Sequence, residues 1–247
     1  MSMMNFVRSL RGRKTHVYCI GAAKTGTTSI AQIYNKVYRT AHEPEVEQTT
    51  GCVMDYLSGR LSETECAKRL MARDKRLNLE MESSHPLGYF TPLLVSSFPD
   101  AKFLVTIRDP RSWIKSRINF HLNKTPPEWK PYRDFIWARH HTGFSKEEQY
   151  LEALGLFSLE AYLKQYAEQY RIIFDAVPEE RLMVLKTSEI SESVGRISDF
   201  VGYEGKALAP VHTNKLADSV KIHEKIPPEF IDAKVEECCG WLMKAYF

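Results

Sequence analysis

The chain has 247 residues, enough for one large α/β domain with a full hydrophobic core. With 43% hydrophobic and 26% charged residues and no internal repeat or low-complexity linker, it is excluded from the repeat and disordered classes. A net charge of +3 excludes a broadly basic nucleic-acid surface but leaves room for a local cluster that binds a small anion.

In chain order, residues 1–14 are basic and lack an apolar run of signal-peptide length, and no stretch of about 18 apolar residues follows anywhere. Neither a secretion signal nor a membrane span is therefore expected. Residues 16–20 (HVYCI) read as a buried strand that stops at Gly21. Over 26–38, Ile30, Ile33, Tyr34 and Val37 recur at helical spacing, so the order is strand, glycine loop, helix. Residues 62–73 predict a helix opened by a capping box, Ser62 with Glu65. A second strand is read at 77–81, a short helix at 87–98, and the clearest strand at 103–107 (FLVTI), followed by a helix at 111–121. Pro126, Pro127 and Pro131 predict a loop-rich excursion over 122–144. A long helix is expected at 146–176, a strand at 182–185 and a helix at 192–201. An irregular stretch and a closing helix to about residue 244 complete the chain.

Strands alternating with helices predict an α/β fold with a mostly parallel sheet covered on both faces, in one domain over 1–247, with 1–15 as an extension. Ligands of such folds sit beyond the carboxyl ends of the strands. The cysteines, Cys19, Cys52, Cys66, Cys238 and Cys239, are odd in number and without CxxC spacing. They form neither a disulfide framework nor a zinc pattern, and they suit a reducing, cytoplasmic setting.

Two motifs fall at strand ends. Gly21, Ala22, Ala23, Lys24, Thr25, Gly26, Thr27 and Thr28 form a G-x4-G-T-T loop, close to the nucleotide-binding G-x4-G-K-[ST] pattern. Backbone N–H groups of such a turn, with a helix N-terminus behind them, cradle an anion. Gly26 admits oxygens close to the backbone, and Thr27 and Thr28 add hydroxyls. The lysine does not follow the last glycine; it lies inside the loop, at 24. No apolar strand ends in an aspartate that would hold a metal, so none is expected. The second motif is FLVTIRDPRSWIKSRINF, residues 103–120. Arg108 ends the strand and Ser116 lies eight residues later on the next helix, a fork and a hydroxyl suited to a second phosphate. Arg111, Lys115 and Arg117 add positive potential.

With both motifs in order, the sequence resembles the PAPS-dependent sulfotransferase family, strongly over 16–41 and 77–120 and more loosely afterwards. The KTGTT loop and the AKFLVTIRDP segment look closer to its carbohydrate and bacterial branches. The resemblance implies a P-loop NTPase-like fold and a sulfuryl donor, 3′-phosphoadenosine-5′-phosphosulfate (PAPS). The product would be 3′,5′-phosphoadenosine. Ala23, Lys24, Thr25, Gly26, Thr27 and Thr28 would hold the 5′-phosphosulfate, and Arg108 with Ser116 the 3′-phosphate. A sulfuryl group carries less charge than a phosphoryl group, so Lys24 and N–H donors would serve it without a metal. The acceptor would be a hydroxyl or amine of a small molecule, carbohydrate or lipid.

A base must take the acceptor proton. His85, before Pro86, is the first candidate, Glu43 in His42-Glu-Pro-Glu45 the second, Glu45 its equal in spacing, and Glu82 the most distant. By the resemblance, Asn214 and Lys215 in a late loop are candidate contacts to the 3′-phosphate. Thr187 and Ser188 receive no role, and Trp113 is read as core. The excursion carries Trp129, Tyr132, Phe135 and Trp137 with Arg133, Arg139, His140 and His141, a composition that suits an acceptor or, equally, the interface of a homo-oligomer. A small-molecule kinase and a non-catalytic nucleotide-binding protein remain as rival readings.

Overall fold

Alternate residues of the central strands enter two separate cores. Val17, Cys19 and Leu104 pack with Met81 and Leu185 against Ile30, Tyr34 and Ile197 on one face. Tyr18, Ile20, Phe103, Val105 and Ile107 pack with Leu94, Trp113, Tyr166 and Leu242 on the other. Burial on both faces is why these strands read as unbroken apolar runs rather than as alternating ones.

The computed structural model describes residues 12–211 and 224–247. Its sheet has the order β2-β3-β1-β4-β5. The strands are β1 (Val17–Cys19), β2 (Thr40–His42), β3 (Met81–Ser83), β4 (Lys102–Ile107) and β5 (Leu182–Lys186), and every neighbouring pair is parallel. Cys19 faces Ser83 on one side and Leu104 on the other, so the carboxyl ends of β1, β3 and β4 open at the same edge. The helices are α1 (Thr27–Tyr34), α2 (Val46–Leu57), α3 (Glu63–Leu77), α4 (Thr91–Ser97), α5 (Pro110–Lys124), α6 (Lys130–Ala138), α7 (Gln149–Ala153), α8 (Leu159–Ala176), α9 (Val194–Val201) and α10 (Pro228–Tyr246). None of them is long and apolar enough to cross a membrane.

The α/β expectation holds, and four local expectations are corrected. The second strand lies at Met81–Ser83, because α3 runs on to Leu77 and ends at Asn78 in the left-handed region (φ 47). The edge strand β2 and helix α2 were not foreseen. The 122–144 excursion holds α6, whose first turn accommodates Pro131 where a missing N–H costs nothing, and whose Tyr132, Ile136 and Trp137 are buried. The long helix over 146–176 is broken: α7 stops before Gly155 (φ 65), and Ser158 restarts the chain by capping α8 through the Ala161 N–H.

Candidate functional site

The carboxyl ends of the strands surround a cavity of about 620 Å3, inside the range typical of ligand pockets. The glycine loop leaves β1 and enters α1. Gly21 is required because a Cβ there would collide with Thr106 on β4. Gly26 takes φ 106, and a Cβ would strike Ile190. No side chain caps α1 at Gly26, and Thr27, Thr28 and Ser29 of its first turn line the cavity. Lys24 also adopts a left-handed conformation, φ 71, which a non-glycine residue holds at a cost of about 1–3 kcal/mol and typically at functional positions. Its Nζ lies 4.9 Å from the centre of the Phe120 ring.

Three side chains tie the loop down. The Trp113 indole donates to the Ala23 carbonyl at 2.9 Å, which gives this buried tryptophan a positioning role besides packing. Ser83 donates to the Thr27 carbonyl at 2.8 Å and Thr187 to the Thr25 carbonyl at 2.6 Å. Helix α8 presents Tyr166, Gln169 and Tyr170 on one face, at i, i+3 and i+4. Tyr166 donates to the Arg108 carbonyl (2.6 Å), Tyr170 to the Thr106 carbonyl (2.6 Å) and Gln169 to the His85 carbonyl (2.7 Å). These bonds fasten α8 to the carboxyl end of β4 and to the turn after β3.

Ala23, Lys24, Gly26, Thr27, Thr28, Glu43, His85, Arg108 and Ser116 all line the one cavity. Thr25 does not; its hydroxyl is fully buried and bonds the Ala22 carbonyl at 2.6 Å and Thr106 at 2.7 Å. Arg108 donates through Nε to Ser112 Oγ at 2.7 Å and through a terminal nitrogen to the Lys24 carbonyl at 3.4 Å. No described carboxylate pairs with it, and burial lowers its pKa from the usual arginine value. Asn214 and Lys215 lie outside the described residues.

His85 and Glu43 meet. The His85 Nδ1 and the Glu43 carboxylate share a short hydrogen bond, and the imidazole stacks on Trp129 with ring centres 5.0 Å apart. Burial alone would raise the Glu43 pKa, but the charge and hydrogen bond of His85, with His42 and Arg117 beyond, hold the carboxyl below its usual range. Glu43 sits at φ 49, a second strained position. The other carboxylate candidates point elsewhere. Glu82 is buried against Arg73, with both carboxylate oxygens at 2.7 Å, and Glu45 pairs with Arg76 and with Arg73 at 3.3 Å. Arg73 also donates to the Pro44 carbonyl at 3.0 Å and thereby pins the turn that carries Glu43.

Other cavity residues had no assigned site role in the sequence, Arg117 being read only as added positive potential. His42 Nε2 lies 3.1 Å from Thr28 Oγ1, and burial lowers its pKa. Its adjacency to Glu43 was the available signal. Thr187 and Ser188 line the cavity after β5, and Arg117 lines it from α5. Among the described residues, no group of three or more His, Cys, Asp or Glu side chains is placed to hold a metal ion.

A family model described as Sulfotransferase domain matches residues 16–205, and the chain belongs to the sulfotransferase family. No curated protein matches the sequence. A crystal structure of a sulfotransferase from Alicyclobacillus acidocaldarius is similar with a TM-score of 0.51 and 17% identity, over 93% of this chain and 96% of that one, a likeness of fold. The sulfotransferase domain of the curacin biosynthetic pathway (TM-score 0.38, 11% identity, 92% of each chain) and that of the Synechococcus PCC 7002 olefin synthase (0.39, 11%, 92% and 88%) are more distant.

Proposed function

We propose that this sulfotransferase takes its sulfuryl group from PAPS and passes it to a hydroxyl or amine acceptor, with His85 as the base and Glu43 as its positioning partner. The observation that supports this reading is the convergence of three groups on one cavity: the glycine loop with Lys24, Arg108 with Ser116, and the His85–Glu43 pair. The residues fit the donor's chemistry. A doubly anchored anion needs two cationic ends, and among the described residues no carboxylate pairs with Arg108.

When bound, PAPS supplies an activated sulfur whose leaving group is 3′,5′-phosphoadenosine. The loop N–H groups and the uncapped start of α1 hold the phosphosulfate end, and Arg108 and Ser116 the 3′-phosphate. His85 Nε2 takes the acceptor proton as the acceptor oxygen or nitrogen bonds to sulfur and the bond from sulfur to the bridging oxygen breaks. Glu43 fixes the tautomer by accepting from Nδ1 and stabilises the imidazolium that forms. Lys24 offsets the charge that builds on the bridging oxygen.

Calorimetry with 3′,5′-phosphoadenosine beside ATP tests the donor. Tight binding of the former without added magnesium is expected, with ATP much weaker. Preference for magnesium-ATP would replace the donor assignment with that of a kinase. Mass spectrometry of PAPS reactions over an acceptor library then reads the transfer.

A further inference from the structure

Arg117 leaves α5 one residue after Ser116, so it departs about 100° around the helix from it, toward α6. It is 7% exposed. The guanidinium lies 4.7 Å from the centre of the Trp137 ring and 5.6 Å from that of Phe120. Aromatic faces attract a cation but accept none of its in-plane N–H bonds. No described residue accepts a hydrogen bond from Arg117 or forms an ion pair with it, and its Nε is buried without a partner. Arg117 lines the cavity. Glu43 is the carboxylate whose field reaches it, and Glu43 is engaged by His85. Burial lowers the arginine to about 10, which still leaves it charged at neutral pH.

The surroundings are rich in donors and poor in acceptors. Arg133 on α6 lines the same cavity; a terminal nitrogen donates to the Gly155 carbonyl at 3.2 Å, and its Nε makes no hydrogen bond and approaches Asp134 at 3.9 Å. His121 Nε2 and the Trp137 indole nitrogen, beside Arg117, are also buried without partners. A buried cation with no counter-charge is an unfavourable arrangement unless a ligand supplies the anion.

We propose that Arg117, with Arg133, is the anion subsite for the acceptor, and that it selects hydroxylated acceptors with a carboxylate on a planar apolar body. This rests on the sulfotransferase reading for the reaction, though not for the anion. Arg117 and His85 line both the cavity and the small void behind it, and Tyr132 and Trp129 flank the imidazole at 5.9 and 5.0 Å. A carboxylate on Arg117 therefore lays the acceptor body against Phe120, Trp129 and Tyr132 and brings its hydroxyl toward His85 Nε2. Lys24 and Arg108 already serve the two ends of the donor, which leaves Arg117 to the other substrate.

The test is calorimetry of 4-hydroxyphenylacetate and 4-hydroxybenzoate against their neutral amides, each with and without 3′,5′-phosphoadenosine. Wild type is expected to bind at least one acid about tenfold or more tighter than its amide. Arg117→Met is expected to erase that preference while 3′,5′-phosphoadenosine binds within about twofold of wild type, which also reports that the variant is folded. If Arg117→Met does not fold, Arg117→Lys, which keeps the charge and loses the planar fork, is read instead for a weakened preference. Equal binding of acid and amide, or binding of neither, overturns the subsite. So does a variant that weakens 3′,5′-phosphoadenosine as much as the acid, which would assign the arginine to the donor. Failure of wild type to bind 3′,5′-phosphoadenosine counts against the donor reading alone, because the acid–amide comparison on the free protein still decides the subsite.

Discussion

An imidazole whose Nδ1 is held by a carboxylate has one nitrogen left for a substrate proton, and His85 is in that position. His85→Ala is expected to lower kcat by about 10²–10⁴-fold with little change in affinity for 3′,5′-phosphoadenosine. Glu43→Gln is expected to lower it less, on the order of 10–100-fold, as when an orienting carboxylate is lost. Steady-state rates of the two variants check this; a Glu43 variant more damaged than the His85 variant would make the glutamate the base. Arg108→Ala is expected to weaken 3′,5′-phosphoadenosine by more than about tenfold but adenosine 5′-phosphosulfate, which lacks the 3′-phosphate, very little. Equal losses in calorimetry would remove Arg108 from the 3′-phosphate. These residues were legible because each occupies a motif position beside a glycine, a proline or a strand end. The buried place of Arg117 on the cavity was not, because a helix-face cation looks solvated in sequence and its burial is a tertiary property; nor was that of His42, whose approach to Thr28 joins the end of β2 to the glycine loop. The choice among Glu43, Glu45 and Glu82 was equally closed to sequence: Arg73 and Arg76, on α3, draw two of the three carboxylates away.

The glycine loop and α1 act as one element, joined at Gly26, the N-cap of the helix. Alanine there must adopt φ 106 and also displace Ile190. Gly26→Ala is expected to cost about 1–3 kcal/mol of stability and to abolish binding of 3′,5′-phosphoadenosine, read by urea denaturation and calorimetry. A variant of wild-type stability would show that the loop relaxes around a side chain. Elements with strong periodicity, β1, β4, α3 and α5, were readable along the chain. The edge strand β2 was not, since its three residues are only half-buried and carry no apolar run. Helix α6 was hidden by prolines that fall in first-turn positions. The polar face of α8 was invisible for a different reason: Tyr166, Gln169 and Tyr170 keep helical spacing, but their targets are carbonyls of residues 58–84 positions away in sequence.

At the scale of the molecule the two edges of the sheet do different work. The carboxyl edge holds the cavity. The amino edge is fastened by Asp74 of α3, which bonds the Tyr18 hydroxyl at 2.9 Å, His16 at 3.0 Å and Arg13 at 2.8 Å. That the strands are parallel followed from their alternation with helices; their order did not, because it depends on which edges long-range contacts cover. Burial raises the Asp74 pKa, but the His16 and Arg13 hydrogen bonds and charges outweigh it and bring the carboxyl from 3.8 to about 2. A depressed carboxylate contributes stability that is fully present above its unfolded value and is lost as pH falls through its folded one. The window is therefore about 4 down to 2, and the contribution above it is about 2 kcal/mol. Asp74→Asn is expected to destabilise the protein by about that much at pH 7 in urea titrations, and the gap should close as the wild type is acidified through the window. Affinity for 3′,5′-phosphoadenosine should stay unchanged, because the substitution lies at the opposite edge from the cavity. A gap that persists unchanged at pH 2 would mean that Asp74 acts through packing and not through its charge.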